Sequence, residues 1–508
     1  MSGPAGTTAP PAADVTDQVR RLLPAATTSP EGSALRRAMT ARLGAPLRGA
    51  ERPVRHALFR LLALTALSPL LLLLAGRAVR LPHGTSVTAL YGVAVLTGTL
   101  CLLYFAYTRY DDPAVCEMRS RAPGHKRFPA LPDRPRVTFL LAVKDEAGHV
   151  EACVRSMAAS DYPHLEIVVV DDGSRDGTGD ILQALAGELG ITVLRLEHNV
   201  GKKAALVRAC AHADGDVLVF TDSDCLLAPD AVRLCVEAMV RHPDLGAVSG
   251  HCRALNTGSG LLARIQDVWY EGQFRVAKAA ESAFGSVCCV SGPLAAFRRE
   301  AIVNYLPAWA EDRFLRAPFR FATDRQLTGY VLGQTWCGRA LKRRHADSPF
   351  VRDEDHPERR WQVGYSQAAR VWTQVPARWG PFLRQQIRWK KSFLRSLCFT
   401  GRFMWRRGLA PAALYYGRAL WVLAAPALVA YHLLWAPAHF TVTLSALYLG
   451  GVLLKGCLWG LAYRLDNPGD RRWRYRPLMS LLSCCVLAWL LPYAALTLRR
   501  GTWTRSPV

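Results

Sequence analysis

An apolar run, Val217–Phe220, is followed at once by Thr221, Asp222, Ser223 and Asp224. Two carboxylates one residue apart at the end of a buried strand repel each other, and each raises the other's pKa. A hard divalent cation removes that cost, because Mg²⁺ and Mn²⁺ prefer carboxylate and phosphate oxygens. Mg²⁺ is typically held by one or two carboxylates plus a substrate's phosphates. Asp-Ser-Asp therefore suggests a metal set against a diphosphate, although Asp and Ser also serve ordinary turns. Its company shifts the balance. The strand-like run 136–143 ends in Lys144, Asp145 and Glu146, and the run 166–174 carries Asp171 and Asp172 at its end.

Three further stretches carry candidate chemistry. Gly201, Lys202 and Lys203 open a helical pattern, where the positive end of the helix and an ammonium both favour an anion such as phosphate. A solvated basic first turn would look the same. Asp324, in Phe-Ala-Thr-Asp-Arg at 321–325, precedes an apolar-spaced helix. It suits an N-cap, and equally a general base set apart from the metal, free to take a proton from a hydroxyl. Gln385, Arg388 and Trp389 lie on one probable helix, with Gln385 and Arg388 sharing a face. Arg bridges phosphate oxygens, and Trp offers a flat platform for a sugar ring. The same helix reads as an amphipathic element on a membrane surface, with Lys390, Lys391 and Arg395 toward headgroups.

The elements that must position these residues are an α/β domain over 135–345. Strands are expected at 136–143, 166–174, 191–198 and 216–224, and helices at 151–160, 178–189 and 201–213. Strands alternating with helices imply a mainly parallel sheet. Ligands bind such sheets at the carboxyl ends of the strands, where the three acidic tips would meet.

Around this domain the chain is apolar and basic. Half of the 508 residues are hydrophobic and the net charge is +24. Lys and Arg crowd the apolar runs, which suggests anionic lipid and membrane topology rather than nucleic acid. Residues 1–55 read as a disordered, increasingly basic N-terminal region, and 56–110 as two transmembrane helices built on 61–76 and 87–107. Interfacial helices are expected over 346–412 and C-terminal transmembrane helices over 413–500, from apolar runs at 413–434, 437–463 and 475–497. Arg-rich flanks put the catalytic domain in the cytoplasm. Three simple C-terminal spans would then strand the basic tail outside, against the same rule. The 14 cysteines show no metal-ligand spacing and read as reduced thiols.

Asp-Asp-Gly-Ser at 171–174, Asp-Ser-Asp at 222–224, Thr-Asp-Arg at 323–325 and Gln-Gln-Ile-Arg-Trp at 385–389, in that order, resemble the processive family-2 glycosyltransferases. These are membrane polysaccharide synthases with a GT-A, Rossmann-like catalytic domain flanked by transmembrane helices. The stretch 289–302 and the ending at 502–505 look most like the hyaluronan synthase branch, with the nodulation chitooligosaccharide synthases as near kin. The resemblance implies an inverting transferase that builds a β-linked chain from UDP-sugars and passes it outward. It implies Mg²⁺ or Mn²⁺ on Asp224, and nucleotide contacts from Asp145, Asp171, Asp172, Lys202, Asp222 and Arg388. Asp324 would be the base. Ser291, Gly292, Pro293, Gln385 and Trp389 would meet the growing acceptor. A non-processive transferase acting on a lipid acceptor would share the aspartate motifs. Thr323 stands where relatives commonly have a second carboxylate, Lys144 departs from the usual strand-end residue, and 341–375 differs in character.

Overall fold

The computed structural model describes residues 85–116, 128–439 and 442–499. The N-terminal region, the apolar run 61–76 and the ending at 502–505 lie outside them.

Val137–Val143 (β1), Leu165–Asp171 (β2), Thr192–Arg195 (β3) and Val217–Phe220 (β4) form the parallel half of one eight-stranded sheet. They pair in the order β3-β2-β1-β4. β1 and β4 and Ile167–Val170 of β2 are largely apolar on both faces and buried, as a sheet covered on both sides requires. The strands are joined by helices Val150–Ala158 (α2), Thr178–Leu189 (α3) and Lys202–Cys210 (α4); the long helix Thr85–Thr108 (α1) precedes them. α2 buries Val150, Cys153, Val154 and Met157, the one-sided spacing that lays a helix on a sheet.

The second half of the sheet is mixed. Cys225–Leu227 (β5), Leu245–Ala254 (β6), Ala295–Arg298 (β7) and Gln362–Thr373, which we label β10, continue it as β4-β7-β6-β10-β5. β7 runs antiparallel to both neighbours, and β10 runs parallel to β6. A separate two-stranded ribbon, Arg313–Phe314 (β8) with Ala317–Pro318 (β9), leads into the site. β10 corrects the expectation that 346–412 is all interfacial helix. Twelve residues of that stretch lie inside the sheet, because Val363, Tyr365, Ala369 and Val371 are fully buried there.

Ala231–Arg241 (α5) covers the sheet behind β6, and Leu261–Glu271 (α6) runs on through a π-helical segment, Gly272–Lys278. Thr323–Gly333 (α7) and Trp379–Thr400 (α8) carry the later motifs. Leu409–Ala430 (α9) and Val442–Asp466 (α10) are long and apolar enough to cross a membrane, and they expose Leu409, Leu420, Val442 and Leu447. α1 packs on α10 through the Tyr107 hydroxyl, which donates to the Ala462 carbonyl at 3.2 Å and to Asp466 at 2.5 Å. The Arg275 guanidinium, on the π segment, meets Asp466 at 3.1 Å and donates to the Ala106 carbonyl at 3.2 Å, which ties α1 and α10 to the α/β domain.

The third apolar run is also long enough to cross by length and composition, but it is not one straight helix. Arg476–Cys485 (α11) is about 15 Å long, half a bilayer core. It climbs against α10 as far as Tyr448, whose hydroxyl meets the Cys484 thiol at 3.3 Å. The helix breaks at Val486, and Leu490–Leu496 (α12) then runs beside α8. Leu498 ends packed with Phe319, Phe321 and Leu394, on the catalytic domain. The chain before α11 is on that face as well, because Arg472 pairs with Asp267 of α6 at 2.7 Å. Both ends of this bent segment therefore lie against the same α/β domain.

Candidate active site

The tips of β1, β2 and β4 do converge. Asp145 adopts a positive φ of 52° and turns back over the next strand end. Its carboxylate accepts from the Arg175 amide at 2.9 Å, and its own amide donates to the Ser174 hydroxyl at 2.9 Å. Lys144 spans to the Gly173 carbonyl at 3.0 Å. Asp172 is buried and accepts two main-chain donors, Val200 at 2.7 Å and Gly201 at 2.9 Å. Gly201 has φ 91°, a conformation a side chain would strain, and it opens α4 directly before Lys202. Burial pushes the Asp172 carboxyl up, partly offset by those two amides.

Asp171 is placed differently from the expectation. It is wholly buried; one oxygen accepts from the Ser174 amide at 2.9 Å and the other lies 3.7 Å from the Arg195 guanidinium. It shapes the turn from beneath and does not face the crevice.

Lys202 reaches across to Asp222 and forms an ion pair. Burial alone would lower this ammonium, but Asp222 and Asp224 carry it above its usual value. Asp222, Asp224 and Cys225 bring one ligand atom each to within 4.8 Å of one another. The Asp224 carboxyl is pushed up to about 6, first by burial and then by Asp222. It accepts a bond from the Thr373 hydroxyl at 3.2 Å, so β10, a strand that no sequence pattern announced, steadies the metal-binding candidate. Excess negative charge on hard oxygen donors fits Mg²⁺ or Mn²⁺.

Gly292 sits against Asp222 so closely that an added Cβ would lie 2.8 Å from a carboxylate oxygen. The Pro293 carbonyl accepts from the Thr221 hydroxyl at 2.7 Å. These contacts fix the Ser291–Pro293 loop to the end of β4. From there the loop leads to Asp324. The Cys289 thiol donates to its carboxylate at 3.2 Å, and burial with Asp324 beside it pushes that thiol up to about 11. Asp324 lies in the first turn of α7, which begins after Ala322 in the left-handed region. Thr323 has its carbonyl held by the Trp309 indole at 2.9 Å.

α8 closes the crevice. Burial lowers the Arg388 guanidinium, while Asp222 and Asp224 act on it in the opposite sense. The Gln385 carbonyl oxygen is buried without a hydrogen-bond partner. A buried unpaired acceptor is costly. Trp389 joins Trp269 and Tyr270 of α6, with ring centroids 5.3 and 6.2 Å away. Sequence reasoning missed those two aromatics, although their adjacency in Asp-Val-Trp-Tyr-Glu was visible. It missed Lys278 too, whose nitrogen donates to Ser291. α8 is clamped to the sheet half by Asp312, buried between Lys203 at 2.9 Å and Arg395 at 2.5 Å. All fourteen cysteines are unpaired in this structure.

Residues 138–306 match the model of glycosyl transferase family 2. An N-acetylglucosaminyltransferase of Azorhizobium caulinodans is 30% identical over 74% of this chain and 88% of its own length. A hyaluronan synthase of Streptococcus pyogenes is 28% identical over 61% of this chain and 66% of its own. Among solved structures, a mannosyltransferase of Pyrobaculum calidifontis in complex with GDP-Man and Mn²⁺ is similar at a TM-score of 0.48 and 22% identity. That likeness covers 80% of this chain and 97% of the other.

Proposed function

The chain belongs to glycosyl transferase family 2, a GT-A glycosyltransferase with apolar helices suited to a membrane, and from that premise we propose that it builds a β-linked polysaccharide from UDP-sugars. Asp145, Asp172, Lys202 and Asp222 hold the nucleotide. Asp224, with Asp222 beside it, binds Mg²⁺ or Mn²⁺, which when present neutralises the diphosphate. Arg388 adds a fixed positive charge next to the same phosphates, the preorganised kind of stabilisation that is worth most in a water-poor site. Asp324 takes the proton of the acceptor hydroxyl, which attacks the anomeric carbon from the face opposite the departing UDP. Gln385 accepts a donor from the substrate at its unpaired oxygen, and the Trp269–Tyr270–Trp389 cluster supports the acceptor ring. The catalytic domain faces the cytoplasm, and the product leaves between the membrane helices.

One observation carries this reading. Gly292 packs on Asp222, Cys289 donates to Asp324, and Ser291 lies between them, which supports a leaving-group site and a base in one crevice. Two products are consistent with it. The N-acetylglucosaminyltransferase relatives favour a chain of N-acetylglucosamine, and the hyaluronan synthases favour an alternating one. Purified protein in nanodiscs, given UDP-GlcNAc alone and then with UDP-GlcA, is expected to release UDP and give products that size as oligomers or polymers. Product from UDP-GlcNAc alone selects the first; dependence on both donors selects the second. No metal-dependent UDP release with any single or paired donor overturns the proposal.

A further inference from the structure

Lys278 is buried, at 7% exposure, on the last turn of the π-helical segment. A buried ammonium ordinarily needs an anionic partner. Here its nitrogen is spent on two hydroxyls, Ser249 at 2.8 Å and Ser291 at 2.7 Å, and it lies 4.2 Å from the centre of the Phe274 ring. An ammonium can only donate. Both serine oxygens must therefore accept from it. Ser249 then directs its own proton to the Gly250 carbonyl at 3.3 Å. Among the described residues the Ser291 hydroxyl has no such carbonyl: besides Lys278, its oxygen meets the Cys289 sulfur at 3.9 Å, a weak contact in which either atom can donate. Lys278 thus turns Ser291 into a donor, held between Gly292, which touches Asp222, and Cys289, which touches Asp324.

We propose that Lys278 is a positioning residue for the acceptor, polarising Ser291 so that its hydroxyl donates to an oxygen of the acceptor sugar and aligns the attacking hydroxyl with Asp324. This rests on the glycosyltransferase reading above and adds to it a required acceptor group: an oxygen that accepts a hydrogen bond, such as a ring hydroxyl or an acetamido carbonyl. Cys289, Asp324 and Glu281 raise the affinity of Lys278 for protons and Arg325 lowers it, but burial is the largest influence and brings the ammonium down to about 8. Above that pH the neutral amine can accept the Ser291 proton, and the alignment is lost.

The test compares wild type with Lys278→Met, Lys278→Arg, Ser291→Ala and the Lys278→Met/Ser291→Ala pair, in nanodiscs with Mn²⁺. Two rates are measured: transfer to added chito-oligosaccharide, and the slow hydrolysis of UDP-GlcNAc when water is the acceptor. The expected result is a rise of about tenfold or more in acceptor KM for Lys278→Met, with donor KM and hydrolysis within about twofold of wild type. The double variant should be no worse than Ser291→Ala alone, because one acts through the other. Lys278→Arg should restore part of the acceptor affinity, and the alkaline fall in transfer near pH 8 should move upward in it. Equal losses in hydrolysis and transfer, additive losses in the double variant, or an unchanged acceptor KM overturn the proposal. If Lys278→Met does not fold, Ser291→Ala against Lys278→Arg separates the same outcomes. Absence of hydrolysis and transfer in wild type would instead count against the underlying glycosyltransferase reading.

Discussion

The donor half of the crevice and the acceptor half are held by different means. On the donor side Asp145 and Asp172 accept main-chain amides of loops within about thirty residues, and α4 begins on those same amides. On the acceptor side the contacts are between side chains, and several join residues far apart in sequence: Asp312 with Lys203 and Arg395, and Arg472 with Asp267. Main-chain donors survive every side-chain substitution except proline and need little from the rest of the fold. Buried ion pairs are more exposed to failure, since losing one partner leaves a charge uncompensated. The acceptor half is also the part joined to the membrane helices, through Arg275 and Asp466. A shift of α10 would therefore be felt at the acceptor and scarcely at the nucleotide.

The comparison breaks most sharply at Asp324. Asp324→Asn keeps the volume and the N-terminal turn but removes the proposed base, and transfer is expected to fall by about 10²–10⁴-fold. UDP binding, measured by titration calorimetry, should be unchanged, because the donor half does not touch this residue. A matching loss of UDP affinity would erase the division. Next in size is Asp312→Ala, which leaves Lys203 and Arg395 buried together. The expected cost is about 3–5 kcal/mol of stability, read as a lower unfolding midpoint in detergent. Asp145→Ala, by contrast, removes a partly exposed carboxylate and should lower that midpoint much less, while weakening UDP binding. At the seam, Gly292→Ala pushes a methyl group onto Asp222. A displacement of this scale beside the chemistry should slow transfer about 10²-fold. Unlike Asp324→Asn, it should also weaken UDP binding.

The same division explains what could be read from the sequence. The donor half follows local rules: apolar runs of strand length, acidic tips and a glycine before a helix, all legible at 137–143, 165–171 and 201–203. Asp171 and Asp172 show the limit of that reading. Adjacent residues at a strand end point to opposite sides, so one faces the crevice and the other the turn beneath it. The acceptor half depends on packing no window reveals. β10 follows a highly charged stretch, 339–360, and its pairing with β6 spans more than a hundred residues. Lys278 shares its short helical segment with Arg275 and looks ordinary until Ser249 and Ser291 are brought to it. The Val486 break gives no glycine or proline at that position, and only the packing of α12 on α8 discloses the return.

The smallest expected effect sharpens the donor side alone. In the metal-free protein Asp224 holds its proton up to about pH 6, whereas an exposed aspartate releases it near 4. A raised folded pKa means that the native state binds the proton more tightly than the unfolded chain does. The metal-free fold should therefore be most stable below about pH 4 with respect to this group, and lose that contribution as pH rises through about 6. The metal has the opposite preference, since it binds the ionised carboxylate. Its affinity should fall by about tenfold for each pH unit below 6 and level off above, which Mn²⁺ titration followed by electron paramagnetic resonance would register. Asp224→Asn should bind Mn²⁺ weakly and without that slope, and Asp324→Asn should keep it in full. If the slope instead followed Asp324, proton and metal would be competing on the acceptor side, and the two halves of the crevice would not be separable.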